Sequence, residues 1–282
     1  MLNDKNLADA IEKMRAAVTG RAPLIHCITN PISIHDCANV VLAAGGRPMM
    51  AEHPEEVAEI TLTAGALALN LGNITDARRA SILIAGRTAM EAGIPVILDM
   101  VGIGCSSFRK DIIIEFLKHR IEGAKLILKG NMSELKALAG EEKCVSGVDV
   151  NPADMLSENN QGEAIALAKR MAVRYEAVIL ASGKTDLVTD GQKAFLIDNG
   201  CDMMGRITGT GCMLNVLTGT YMAAGEPLLA AVAGCVVLGI SGEAGSEKSL
   251  GTGGFQVAFQ DALSCMTDED IRNRMKVRYI QE

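Results

Sequence analysis

The chain has 282 residues, of which 49% are hydrophobic and only 3% aromatic, and its formal net charge is −7 at pH 7. This length suits one α/β domain with a core of aliphatic side chains. An acidic surface repels phosphate backbones, and few aromatic rings are available to stack on bases, so we expect no nucleic-acid partner.

Short apolar runs alternate with helical patterns as far as residue 180. Helical periodicity predicts helices over 7–18, 36–44, 76–92, 108–119, 132–139 and 162–175. The apolar runs predict strands over 24–28, 66–71, 95–99, 125–128 and 177–180. This alternation indicates one α/β domain over 1–282, with a central, mostly parallel sheet and helices on both faces.

The pattern changes after residue 185. Predicted strands over 186–189 and 193–197 flank Asp190-Gly191-Gln192, which is typical of a β-hairpin. From Gly209 onward the pattern is helical only, and it predicts helices over 211–224, 227–243 and 254–263.

The apolar stretch 228–240 is too short and too broken by glycine to span a bilayer, so we interpret it as a buried helix and expect no membrane partner. With no targeting segment recognised, we expect a cytoplasmic protein.

The cysteines and histidines show no metal-binding or catalytic spacing. The eight cysteines have no CxxC pair, and we expect reduced thiols. They are Cys27, Cys37, Cys105, Cys144, Cys201, Cys212, Cys235 and Cys265. His26 falls within a predicted buried strand, where a hydrogen-bonded core histidine is expected.

Gly183-Lys184-Thr185 looks like the end of a P-loop, but Val178 stands where its first glycine is required.

Polar residues follow several predicted strands, and ligands bind beyond the carboxyl ends of strands in open α/β sheets. The features at these ends are Asn30, Asp99, the turn Lys129-Gly130-Asn131 and the turn Ser182-Gly183. Asp99 is either an ordinary loop carboxylate or a ligand that holds Mg²⁺ directly or through water. Glu134, three residues after the helix cap Asn131, either completes a capping box or contributes to the same metal site. Together the two carboxylates favour a magnesium site.

The sharpest motif is Gly209-Thr210-Gly211-Cys212, which opens a predicted helix. The glycines let backbone N–H groups approach a ligand, and the helix N-terminus adds partial positive charge. Phosphoryl transfer needs such an anion hole, because charge on the moving phosphoryl oxygens must be stabilised. In this first turn Cys212 is expected to favour the thiolate and could act as a general base toward a substrate hydroxyl. The alternative is a glycine-capped helix start with a packed cysteine.

Several longer motifs occur in a fixed order with these features. They are His26-Cys27-Ile28-Thr29-Asn30, Pro48-Met49-Met50, Leu98-Asp99-x-Val101-Gly102-x-Gly104 and Gly251-x-Gly253-x-Phe255-Gln256-x-x-Phe259-x-Asp261-Ala262-Leu263. Over residues 20–265 the chain resembles the hydroxyethylthiazole kinases of thiamine salvage, a ribokinase-like family. Cys212 favours the hydroxyethylthiazole kinases over other ribokinase-like proteins, most of which have Asp at this position. The resemblance implies ATP-dependent phosphorylation of the hydroxyl of 4-methyl-5-(2-hydroxyethyl)thiazole.

The resemblance also implies a role for each matching position. The residues implied to bind the thiazole alcohol are Met50, Gly209 and Asn30. Those implied to bind ATP are Lys129, Ser182 and Asn131, and Lys129 would act as a point charge where relatives often have Arg. Those implied to form the anion hole are Gly209, Thr210 and Gly211. Those implied to hold Mg²⁺ are Asp99 and Glu134, and Cys212 would act on the substrate hydroxyl. A homotrimer with sites at subunit interfaces is implied as well.

Two departures from the family pattern and two alternative functions accompany this resemblance. Met100 stands where relatives usually have Pro, and Gly251-Thr252-Gly253-Gly254 replaces a commoner Gly-Pro-Gly-Ser, so looser loops are expected near the site. One alternative is a kinase of the same fold for a hydroxymethylpyrimidine or pyridoxal-type alcohol, against which Cys212 argues. The other is a non-catalytic nucleotide-binding paralogue or regulator, against which the presence of Asp99, Glu134 and Cys212 argues.

Overall fold

The computed structural model describes residues 4–141, 156 and 160–280. Cys144, interpreted above as a reduced thiol, lies outside these residues, and the seven other cysteines are free thiols. One sheet collects strands from residue 24 to residue 280. The extent of a single domain over 1–282 stays a prediction.

The described residues form a nine-stranded sheet of order β2-β1-β3-β4-β5-β6-β7-β8-β9. The strands are β1 (Leu24–Ile28), β2 (Arg47–Met49), β3 (Ala66–Asn70), β4 (Val96–Asp99), β5 (Leu126–Gly130), β6 (Val178–Ala181), β7 (Asp186–Thr189), β8 (Ala194–Ile197) and β9 (Val277–Ile280). The pairs from β2 to β6 are parallel, and those from β6 to β9 are antiparallel. The mostly parallel sheet is confirmed, and β7 and β8 form the predicted hairpin.

Helices cover both faces of this sheet, as predicted. They are α1 (Asp4–Arg21), α2 (Ile34–Ala43), α3 (Val57–Thr63), α4 (Asp76–Glu91), α5 (Ser107–Lys118), α6 (Met132–Ala139), α7 (Gln161–Tyr175), α8 (Thr210–Met222), α9 (Pro227–Glu247), α10 (Thr252–Ser264) and α11 (Asp268–Arg274). Successive side chains of a strand point to opposite faces. Ala66 and Ala68 of β3 therefore belong to the core that includes α1, α2, α8, α9 and α10, whereas Leu67 and Leu69 belong to the core that includes α4, α5, α6 and α7.

Three elements differ from the sequence-based expectation. The strand β2 and the helix α3 lie in a stretch with no predicted element, because both are too short for periodicity to register. The expectation of helices only after Gly209 is wrong, since β9 pairs with β8 at the antiparallel edge. Its sequence Val-Arg-Tyr-Ile lacks a continuous apolar run because this edge strand is only partly covered.

The apolar helix α9 is a core element. By length and composition it could cross a membrane, but 78% of its apolar window is buried inside the protein. It packs between α8 and α10. A helix that is apolar all round is typical of the interior of a large domain. The interpretation of residues 228–240 as a buried helix is confirmed.

His26 is a hydrogen-bonded core residue, as predicted. It is fully buried in β1, with Nδ1 2.9 Å from Thr61 Oγ1 and Nε2 2.9 Å from the carbonyl oxygen of Ala51. A carbonyl can only accept, so Nε2 carries the proton and the Thr61 hydroxyl donates to Nδ1. Burial lowers the pKa of His26, which favours this neutral form.

Candidate active site

The parallel strands bring the predicted polar residues to one edge of the sheet. Asn70, the last residue of β3, pairs with Asp99, the last residue of β4. Asp99 pairs in turn with Lys129 of β5. Lys129 and Gly130 extend the ladder between β5 and β6, so they are strand residues and not the turn that the sequence suggests. Three neighbouring strands thus carry a polar side chain at the same level near their carboxyl ends.

A buried ion pair lies at the centre of this edge. Lys129 Nζ donates to Asp99 Oδ2 at 2.7 Å, and the two side chains are 3% and 4% exposed. Burial disfavours the charge on Lys129, but the Asp99 carboxylate outweighs this effect and the pKa of Lys129 is raised. Lys129 Nζ also lies 3.6 Å from the position that a Cβ on Gly211 would occupy. The buried Lys129 ammonium therefore lies beneath the first turn of α8.

The helix α8 begins at the glycine-rich motif, as predicted. Gly209 caps it with φ +88°, and a Cβ there would lie 2.8 Å from Ser33 Cβ, so the sharp entry into the helix requires glycine. The first helical hydrogen bond runs from Met213 N–H to the Gly209 carbonyl. The N–H groups of the three residues between them have no carbonyl partner within the helix, which makes them available to an anion.

Cys212 occupies the first turn of this helix and is 9% exposed. Its Sγ lies 3.3 Å from Asn70 Nδ2, which donates to it. Contrary to the expectation from the helix start, burial and the nearby Asp99 carboxylate raise the pKa of the Cys212 thiol above its ordinary value. Hydrogen bonds from Ser33 and Asn70 and the charge of Lys129 act in the opposite direction. The helix terminus alone does not decide the protonation of this sulfur.

Glu134 forms the predicted capping box and also reaches a second loop. Its backbone N–H donates to Asn131 Oδ1 at 2.9 Å, and its Oε2 accepts from Asn131 N–H at 2.7 Å. Its Oε1 accepts from Gly102 N–H at 2.7 Å. Burial and the Asp99 charge raise the pKa of Glu134 to about 7. Glu134 therefore connects the start of α6 to the loop after Asp99, and a role in metal binding stays a prediction.

The loop after Asp99 is held more firmly than the Met100 departure suggests. Met100 is fully buried, and its N–H donates to the Lys129 carbonyl at 2.8 Å. A proline has no N–H, so it could not make this bond. Arg109 Nη1 also donates to the Val101 carbonyl at 2.7 Å. For this loop the expected loosening is wrong, because Met100 adds a bond between β4 and β5. At the other departure, Gly251 simply caps α10, which begins at Thr252.

The remaining predicted residues lie around this centre. Asn30 follows β1 and uses Oδ1 to accept from Ile32 N–H at 3.2 Å and from Asn73 Nδ2 at 3.0 Å. Met50 follows β2 and is half-buried against the core cluster of α2 and α8. Ser182 follows β6, where its N–H donates to the Gly130 carbonyl at 2.9 Å. In the described part of the chain, no side-chain hydrogen bond joins Met50 or Ser182 to the network of Asp99 and Cys212.

The sequence pattern does not single out two residues that organise the site. Asn70 reads as the polar end of an apolar strand, and Arg78 reads as a surface cation on α4. Arg78 is instead 1% exposed, and its guanidinium donates to the backbone carbonyls of Gly72, Asn73 and Asn70. Its Nε lies 3.3 Å from a carboxylate oxygen of Glu52. Asn70 could have been identified from the sequence only by one feature: an apolar run that ends on an amide is followed by an apolar run that ends on a carboxylate.

Known proteins resemble this chain over almost its whole length. A family model for the hydroxyethylthiazole kinase family matches residues 16–269. Hydroxyethylthiazole kinase 2 of Clostridium botulinum (strain Okra / Type B1) is 42% identical over 265 residues, which cover 94% of this chain and 98% of that protein.

Solved structures agree with the sequence match. A hydroxyethylthiazole kinase protein from Pyrococcus horikoshii OT3 superimposes with a TM-score of 0.85 at 34% identity, covering 98% of this chain and 100% of that chain. A ribokinase-like superfamily protein from Enterococcus faecalis V583 has a TM-score of 0.59 at 11% identity, covering 90% and 93%, and shows the fold alone. The fold is therefore ribokinase-like, and the chain belongs to the hydroxyethylthiazole kinase family.

Proposed function

We propose that this chain transfers the γ-phosphoryl group of ATP to the hydroxyl of 4-methyl-5-(2-hydroxyethyl)thiazole, as a step of thiamine salvage. The observation that carries the proposal is the position of Cys212. Its sulfur lies at the open N-terminus of α8 and shares the donor Asn70 Nδ2 with Asp99. A candidate base, a row of free amides and a buried carboxylate–ammonium pair thus meet where strands of an α/β sheet end.

The alcohol would be received between the end of β1 and the start of α8. Asn30, Met50 and Gly209 are the residues proposed to contact the thiazole, since they follow β1, follow β2 and cap α8. Cys212 would take the hydroxyl proton as the oxygen attacks phosphorus. The N–H groups at Gly209, Thr210 and Gly211 would stabilise charge on the transferred group. Thr210 Oγ1 already donates to the Met204 carbonyl at 3.2 Å, so its backbone is the part offered to the anion.

The nucleotide phosphates would lie over the ends of β5 and β6. Lys129 is proposed to stabilise them by charge, because its ammonium lies beneath the first turn of α8. Ser182 and Asn131 follow these two strands directly and are proposed to contact ATP from the loops. Lys129 is paired with Asp99 at 2.7 Å, so it acts from within the site and not as a mobile surface cation.

Mg²⁺ is proposed to enter with ATP. This ion keeps several waters and takes one or two carboxylates together with substrate phosphates. Asp99 fits, because within the described residues both of its side-chain donors reach Oδ2, which leaves Oδ1 for the ion or its water. Glu134 fits as a partner of a metal-bound water, since each of its oxygens already accepts one N–H and a carboxylate has about four acceptor sites. Bound there, Mg²⁺ would neutralise charge on the phosphate oxygens.

An ADP-release assay with Mg-ATP tests the proposal. We expect turnover on the thiazole alcohol to exceed turnover on hydroxymethylpyrimidine and pyridoxal by at least about 10-fold. A difference of a single methylene group in a binding pocket already changes kcat/KM by about 10-fold or more. Preferred turnover on one of the other alcohols would replace the substrate and keep the chemistry. ATP binding without turnover on any of the three would identify a non-catalytic paralogue.

We also propose that the active form is a cytoplasmic homotrimer with its sites at subunit interfaces. Support comes from exposed apolar side chains on the segments around the thiazole residues. These are Ile32 at 61% exposure, Met49 at 39%, Leu250 fully exposed and Val257 at 63%. Exposed apolar side chains near a predicted site are consistent with a subunit interface there when they lie together. Light scattering on the purified protein is expected to give three times the chain mass of 29.7 kDa, and a mass of one chain would overturn this proposal.

A further inference from the structure

A buried amide with no assigned role lies between the proposed base and the proposed metal ligand. Asn70 ends β3 and is fully buried. Its Nδ2 lies 3.2 Å from Asp99 Oδ2 and 3.3 Å from Cys212 Sγ. Its Oδ1 accepts from Gly72 N–H at 2.7 Å. One side chain therefore contacts both reacting-centre groups and the loop beside them.

The Gly72 contact fixes which way the amide points. A backbone N–H can only donate, so the atom facing Gly72 must be the amide oxygen, and the NH₂ group must face Asp99 and Cys212. The NH₂ group has two hydrogens and two acceptors within reach, so each hydrogen has a partner. The amide oxygen and both amide hydrogens of Asn70 therefore each have a hydrogen-bond partner.

The amide is also held rigidly from behind. Its own backbone carbonyl accepts from Arg78 Nη2 at 3.1 Å, and Arg78 also holds the carbonyls of Gly72 and Asn73. The same loop touches the proposed substrate wall, since a Cβ on Gly72 would lie 2.3 Å from Asn30 Nδ2. A side chain locked by packing and hydrogen bonds can orient a reactive neighbour to within a fraction of an ångström.

We propose that Asn70 is a positioning residue of the phosphoryl transfer, and that it acts through Cys212 by donating one N–H to its sulfur while the other N–H fixes the Asp99 carboxylate. This inference rests on the proposed function. In the step it supports, the substrate O–H proton passes to the deprotonated Cys212 Sγ, and the freed oxygen bonds to the γ-phosphorus of ATP. The bond from that phosphorus to the bridging oxygen then breaks and ADP leaves. The donated N–H stabilises the sulfur in the form that accepts the proton.

Two variants remove the donors while keeping the volume. Asn70→Asp keeps an oxygen for Gly72, and Asn70→Leu carries no charge. We expect each to lower kcat by about 10- to 100-fold, the value of one hydrogen bond to a charged group, with KM for the alcohol changed by less than about threefold. Asn215→Leu is the matched control, because Asn215 is an equally buried amide whose Nδ2 donates to the Leu69 backbone carbonyl. It is expected to keep kcat within about threefold, whatever it does to the melting temperature.

A double-mutant cycle distinguishes positioning from simple destabilisation. If Asn70 acts through Cys212, Asn70→Leu in a Cys212→Ala background lowers kcat by less than about threefold further. Independent, multiplicative losses in the cycle would overturn the inference, and so would unchanged kcat in both Asn70 variants. Either result leaves the proposed function intact if wild type is active and Cys212→Ala is slow. A wild type without turnover, or a fully active Cys212→Ala variant, would remove the step itself and the inference with it.

Discussion

Cys212→Ala is expected to lower kcat by about 10²- to 10⁴-fold, the usual contribution of a positioned general base. The fold should be retained, because the change removes one sulfur atom at a helix N-terminus and leaves the backbone amides of that turn in place. Binding of ATP should also be retained, since the proposed phosphate contacts are made by other residues. Steady-state kinetics with the thiazole alcohol, together with calorimetric titration of ATP, measure both effects.

The pH profile adds a second measurement to this prediction. Burial and the Asp99 charge raise the pKa of Cys212, and a base must be deprotonated to act. In wild type kcat should therefore rise with pH through the neutral and mildly alkaline range, and Cys212→Ala should lose that rise. Cys27→Ala is the matched control, because Cys27 is a buried thiol whose sulfur contacts a backbone carbonyl of its own strand. A Cys212→Ala variant with wild-type kcat would rule out the thiol as the base.

Asp99→Asn is expected to lower the free energy of unfolding by about 3–5 kcal/mol, because it leaves the buried Lys129 ammonium without a charged partner. The pair is almost entirely removed from water, at 3% and 4% exposure. Phosphoryl transfer should be lost as well, since the proposed metal carboxylate is gone. Urea unfolding at one fixed protein concentration measures the stability, and the ADP-release assay measures the activity.

Two further variants isolate the cause of that instability. Asp99→Asn combined with Lys129→Met should recover more than half of the lost stability, because the unpaired charge is then absent, but should recover none of the activity. Glu91→Gln is the control, since Glu91 pairs with Arg87 at 2.8 Å on the surface, where both side chains are more than half exposed. It should change the unfolding free energy by less than about 1 kcal/mol. An Asp99→Asn loss as small as this control would contradict the account of a buried charge pair.

The two largest predicted effects share one physical origin. Lys129, Asp99, Glu134 and Cys212 are all buried, where the effective dielectric constant is low, and the Asp99 charge raises the pKa of the other three groups. The same environment that makes one missing partner costly for stability is suited to stabilising charge during phosphoryl transfer. Stability and function are thus expected to respond to the same residues.

The amino-acid sequence was sufficient to predict those features of the site that depend on interactions between residues close together in the chain. The cap Asn131 and its partner Glu134 are three residues apart, so the capping box was visible in the sequence and is confirmed. The start of α8 at the glycine motif is likewise set by Gly209, whose positive φ excludes a side chain. The apolar runs that end at Asp99 and near Asn30 place these residues at strand ends without knowledge of the strand order.

The α/β class, the strand ends that carry polar residues and the glycine-rich helix start follow from the amino-acid sequence alone, because each depends on neighbours within a few residues. The partners of those residues, in contrast, depend on how the chain folds. Lys129 meets Asp99 through the β4–β5 register, and Asn70 meets Cys212 across 142 positions of the chain. Burial then raised the pKa of Cys212, where the helix start alone indicated a thiolate. Strand order, register and desolvation belong to the assembled fold, so no local pattern could have fixed them.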